Sequence, residues 1–281
     1  MLSLGVSSTA PGMKPSRRQP SMRRGRPVIT WILFLIWFYF VFAAGWVLVG
    51  FVDISKGGHS SDWIADIRAL QYNPSVLLGF PESAKLPFWS MAMSALLLFA
   101  ALQGSQALLL HLIELLVLMA RDEDDWRRLA RRGKSGRAVF KEPPFSAALR
   151  SWKNIILLSF KSLLHWLLGR CLTTSFTALS KEGAFISHYV EIRYDRFFLY
   201  TLCAGLLAAF ATFLAFKRPS GPQPAAWGHV PTLVNLIDDW NTDERGRLWW
   251  GDKGVVDGVR HAGTSSKPSE LGPIRMKMVY S

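Results

Sequence analysis

Four ionisable side chains stand where few are found. His111 and Glu114 interrupt the apolar run "LLLHLIELLVLMA", and Lys161 and His165 interrupt "NIILLSFKSLLHWLLG". Two imidazoles, an acid and a base inside apolar helices can pair with one another, relay protons or line an ion path. At 100° per residue, Gln103, Gln106, His111 and Glu114 fall within roughly 140° of one another, so the helix that carries them has a polar face. That face has two readings: hydrogen-bonded glue between helices, or the wall of a transport or proton-relay site. If one helix runs inward to Ala120 and the next runs outward from Asn154, Glu114 and Lys161 each lie roughly 10 Å inside their helices at about 1.5 Å per residue. Antiparallel neighbours would then pair Glu114 with Lys161 and set His111 and His165 about one turn deeper.

The residues of other chemistries lack their frames. A nucleophile elbow, a Walker loop, a glycine fingerprint after a strand and an HExxH pair are absent, so hydrolysis, phosphoryl transfer and nucleotide binding have no motif to rest on. In the tail, His229, Asp238, Asp239 and Asp243 match no metal-ligand spacing and read as a solvated face. His261 and Ser265 in "HAGTS" would need a carboxylate and a rigid scaffold to act as a triad. Cys171 and Cys203 are the two cysteines; without a CxxC they read as small apolar residues, with a disulfide left open. The expectation is a protein that is not an enzyme, with no cofactor, no bound metal and no nucleic-acid partner.

The elements that must position the polar groups are set by composition. Of the 281 residues 50% are hydrophobic and 13% aromatic, and the apolar residues are gathered in blocks. The expected class is an all-α membrane protein with about four transmembrane helices, near 28–52, 91–120, 154–173 and 197–216. Residues 1–27, with six basic and no acidic residues and much Ser, Pro and Gly, are expected to form a disordered basic N-terminal tail. Residues 217–281 are expected to form a cytoplasmic C-terminal tail with one amphipathic helix from Val230 to Trp240. The face Leu233, Val234, Leu236, Ile237 and Trp240 would bind a partner or the membrane surface.

The net charge of +13 has the same origin. Lys plus Arg number 25 in the segments 1–27, 121–153 and 217–281, against 7 in 53–85 and 170–196. The positive-inside rule then places both termini in the cytoplasm. The block around 154–173 is the least apolar of the four, and a helix lying flat on the membrane is its alternative; "TTSFTAL" can extend it as a span. Between the first two blocks, "SSDWIADIRAL" reads as a short outer helix. "RDEDDWRRLARRGKSGR" reads as a helix leaving the membrane with i,i+4 pairs. Ala204, Ala208, Ala211 and Ala215 give the last span a small face for close helix approach.

The phrases "FKSLLHWLLG", "KRPSGPQPAAWGH", "HAGTS" and "GPIRM" resemble a family of uncharacterised multi-pass membrane proteins of filamentous fungi. The resemblance covers roughly the second half of the chain. It implies a multi-pass membrane fold and relatives with more spans at their N-terminal side, and it implies no activity. Two functions remain. One is a structural or interaction protein in a membrane, possible at the plasma membrane, whose partners are the lipid bilayer, a cytoplasmic protein or a homo-oligomer. The other is a small transporter or channel that uses Gln103, Gln106, His111, Glu114, Lys161 and His165.

Overall fold

The computed structural model describes residues 14–56, 75–79, 88–130, 137–138, 151–177, 187–256 and 258–280. The helices are α1 (Met22–Gly25), α2 (Val28–Lys56), α3 (Phe88–Leu129), α4 (Trp152–Cys171), α5 (Tyr194–Phe216) and α6 (Val230–Leu236). The strands are β1 (Ser75–Gly79), β2 (Arg137–Ala138), β3 (Leu172–Thr177), β4 (Ser187–Arg193), β5 (Arg247–Val256) and β6 (Val259–Ser265). The segment "SSDWIADIRAL" and residues 131–136 of the charged stretch after the second apolar block lie outside the described residues.

Among the described residues, three helices are long and apolar enough to cross a membrane: Val28–Val49, Ala92–Leu129 and Tyr194–Phe216. The first carries large apolar side chains on its surface, among them Trp31, Phe34, Phe38, Val41 and Phe42. A helix that is apolar all round and exposes such residues suits lipid rather than water. The protein is therefore a mostly helical membrane protein. Helix α3 runs without a break through "QGSQ" for 42 residues, roughly 63 Å, about twice the hydrocarbon thickness of a bilayer. Its charged end, Arg121–Leu129, continues the same helix, as the charge pattern suggests.

Helix α4 has the length of a crossing, 20 residues, but is not one of the three by composition. Lys153, Asn154, Lys161, His165 and Arg170 lower its apolarity. It also stops at Cys171 instead of running on through "TTSFTAL". The β-branched threonines there suit a pleated strand better than a helix, and Leu172–Thr177 is β3.

The all-α expectation is corrected by two small sheets. One has the order β1-β4-β3 and the other β2-β5-β6, all neighbours antiparallel. The second contains a hairpin, β5–β6, in a tail expected to hold only one helix. Gly258, with a φ of 80°, lies in the turn between the two strands.

The chain divides into two compact units. The helical unit holds residues 31–114 and 156–212; the tail unit holds 1–30, 115–155 and 213–281. Within the helical unit, Ala208 and Ala211 are fully buried, as the small-face pattern predicts. A Cβ on Gly205 would come within 2.7 Å of the Phe40 ring, so glycine allows α2 and α5 to approach here.

The tail unit has its own apolar core of Trp126, Leu129, Ala226, Leu248 and Trp250, with Leu233, Leu236 and Ile237 packed against it. The rings of Trp126 and Trp250 meet edge to face at 6.0 Å. Its N-terminal part departs from the expected disorder from residue 14 onward. Met22 is fully buried, the Gln19 amide donates to the Pro219 carbonyl, and the Gly221 amide donates to that of Arg17. The Trp227 indole donates to the Pro20 carbonyl at 3.1 Å. Low apolar content did not prevent order here, because the segment borrows its apolar cover and backbone partners from residues 217–227.

Candidate functional site

The polar residues on these apolar helices fall into two groups, both inside the helical unit. In the first, Lys161 Nζ on α4 donates to Glu114 Oε2 on α3 at 3.0 Å, and His111 Nδ1 lies 3.0 Å from the same oxygen. One carboxylate oxygen thus serves two bases from two helices. The cluster is only partly enclosed: the side chains of His111, Glu114 and Lys161 are 65%, 37% and 24% exposed. His165 is exposed on α4.

In the second group, the Tyr200 hydroxyl on α5 donates to Gln106 Oε1 on α3 at 2.9 Å and lies 2.8 Å from the Tyr39 hydroxyl on α2. Three helices are linked by one buried hydroxyl. Trp37 Nε1 adds a bond to Thr212 Oγ1 at 2.9 Å. Tyr39 and Tyr200 escaped the sequence reading because a tyrosine in an apolar run is ordinary; the polar face of α3 was the available signal. Gln103, on that face, is exposed.

The tail unit holds a polar knot that was not foreseen. Glu123, buried on the last turns of α3, accepts from the amides of both Ala226 and Trp227 at 2.8 Å and pairs with Arg127 at 2.7 Å. Arg127 also donates to the carbonyls of Ser220 and Gln223, and Gln223 donates to the carbonyl of Trp126. The phrase "PSGPQPAAWG" is thereby laced onto one face of α3. Lys153, 2% exposed, donates to the Ala120 carbonyl and to Asp124. A cavity of about 350 Å³ lies here, lined among others by Arg127, Lys153, Lys217, Arg218 and Gln223.

The tail acids are also committed to structure. Asp238 accepts from the Thr264 amide at 2.7 Å and from Lys253. The Asp239 amide and carbonyl both bond the fully buried Thr264 hydroxyl. These bonds draw the chain off the helix after Leu236, which is why α6 is shorter than Val230–Trp240. Asp243 holds the Arg247 amide and guanidinium. Asp252 accepts from the Gly254 amide, Tyr280 and Arg260; burial pushes its carboxyl up, but those three bonds outweigh it and hold the pKa below the ordinary value. Ser265 donates to Glu270, and His229 pairs with Thr232.

Of the proposed partner face, Leu233, Leu236 and Ile237 cover the unit's own core. Val234 and Trp240 remain about half exposed. Cys171 and Cys203 are free thiols. Among the described residues no group of His, Cys, Asp and Glu is placed to hold a metal ion. No family model matches this chain, and neither a curated protein nor a solved structure matches it.

Proposed function

We propose that this protein is a four-crossing membrane anchor, a structural or interaction protein that displays a folded domain on one membrane face. The observation that carries this reading is the pairing of intramembrane polar groups with one another between helices. Glu114 meets Lys161, and Tyr200 meets both Gln106 and Tyr39. Buried polar groups that satisfy each other register helices. The cavity of about 350 Å³ is lined by tail-unit residues instead.

Backbone contacts support four crossings although α4 is not apolar enough to be recognised alone. Segments before α2, between α3 and α4, and after α5 all belong to the tail unit. Arg18 pairs with Ser220, and Trp126 donates to the Pro224 carbonyl. Those three segments therefore share one side of a bilayer. Strand β1, between α2 and α3, pairs with β4, between α4 and α5. On this reading those two loops share the other side, and α4 crosses. The excess of Lys and Arg on the tail-unit side makes it the cytoplasmic one. The residue phrases shared with the fungal multi-pass family fit this architecture, since "PSGPQPAAWG" and "HAGTS" build the tail unit.

A second reading, a small transporter or channel working as an oligomer, draws on the exposure of His111 and Gln103, which a polar face in lipid would have to cover. A double-mutant cycle separates the two. Glu114→Gln and Lys161→Met should each lower stability in detergent by about 1–3 kcal/mol, and the double change should recover at least half of the summed loss. Additive losses would remove the fastening role and favour the second reading.

A further inference from the structure

We infer that the basic surface formed by Arg17, Arg18, Lys217 and Arg218 binds the headgroups of anionic phospholipids. The inference rests on reading Val28 and Phe216 as ends of membrane crossings. Two clusters of cations far apart in sequence are stitched into one surface. The Arg18–Ser220 bridge, the Gln19 amide on the Pro219 carbonyl and the Gly221 amide on the Arg17 carbonyl join them. The Arg23 guanidinium lies over the Phe216 ring, 4.9 Å from its centroid. Arg17, Arg18, Arg23, Arg24, Lys217 and Arg218 are all exposed, and none has a carboxylate partner among the described residues.

Two cations lining the adjoining cavity are already neutralised, Arg127 by Glu123 and Lys153 by Asp124. Lys217 and Arg218 line the adjoining cavity with those satisfied pairs, yet keep their own charge unmatched. Position selects the occupant. Lys217 is the first residue after the crossing Tyr194–Phe216, and Arg24 and Arg26 precede the crossing that begins at Val28. A group at that level meets lipid phosphates, and exposed basic side chains there attract anionic lipid additively.

The test uses the full-length protein in a neutral detergent. Native mass spectrometry would follow titration with phosphatidylserine and with phosphatidylcholine of the same acyl chains. The wild type should retain phosphatidylserine at least about tenfold more tightly. The combined Arg17→Ala, Arg18→Ala, Lys217→Ala and Arg218→Ala variant should fall to within about twofold of no preference. Arg17→Lys with Arg18→Lys should keep the preference, because the attraction is one of charge. The Lys217→Ala and Arg218→Ala pair, beyond the end of α5, should give an intermediate value without disturbing the fold. Equal retention of both lipids by the wild type, an unchanged preference in the fourfold variant, or displacement of the bound lipid by a single-stranded RNA oligonucleotide would overturn the inference. Because this measurement does not depend on threading, a failure here leaves the four crossings standing, and a failure of the crossings shows in labelling, not in lipid retention.

Discussion

A single glycine shows how tightly the tail unit is specified. A Cβ on Gly263 would lie 2.3 Å from Asp238 Oδ1, the oxygen that receives the Thr264 amide. Gly263→Ala should therefore cost about 1–3 kcal/mol through overpacking alone, measured as a loss in denaturant midpoint followed by tryptophan fluorescence. The carboxylates set a pH limit in the same place. Asp238 and Asp252 both have folded pKa values held below the ordinary 3.8: burial raises each, and hydrogen bonds with a nearby cation, Lys253 for Asp238 and Arg260 for Asp252, outweigh it. A lowered folded pKa gives stability that is complete above the unfolded value and lost as the pH falls through the folded one. The tail unit should be indifferent to pH from neutrality down to about 5 and lose stability below about 4. Asp252→Asn should flatten that acid limb; an unaltered limb in the variant would show that Asp252 does not set it.

At the scale of elements, the tail helix is an internal part before it is a docking surface. Leu236 packs on the core around Trp126 and Trp250, whereas Val234 is about half exposed. Leu236→Asp should destabilise the folded protein by about 2 kcal/mol or more, and Val234→Asp should stay within about 0.5 kcal/mol. Equal effects would mean that α6 is not anchored by that face. The helix was legible in the sequence because its apolar residues recur at helical spacing, but its early end was not, since Thr264, which draws Asp238 and Asp239 away, lies far along the chain. The hairpin was illegible for a different reason. Strand β5 buries five successive residues, Leu248 to Asp252, so the alternation that marks a strand is missing. Gly258, whose φ of 80° suits a turn, was a local signal available.

The whole molecule was legible mainly where composition acts. Apolar runs mark the three helices long and apolar enough to cross a membrane, and matched depths on two helices pointed to Glu114 and Lys161. The lacing of residues 220–227 onto the end of α3, and of residues 17–20 onto 219–227, depends on backbone partners, which leave no pattern in composition. That lacing supports the proposed four crossings, and thiol labelling tests the proposal most directly. In a variant with Cys171→Ala and Cys203→Ala, single cysteines would be placed by Ser16→Cys, Ser83→Cys, Lys181→Cys and Lys277→Cys. An impermeant maleimide applied to intact cells should modify the probes at 83 and 181 and spare those at 16 and 277 until the membrane is opened. Opposite behaviour of the probes at 16 and 277, or of those at 83 and 181, would contradict a four-crossing chain with its tail unit on a single face.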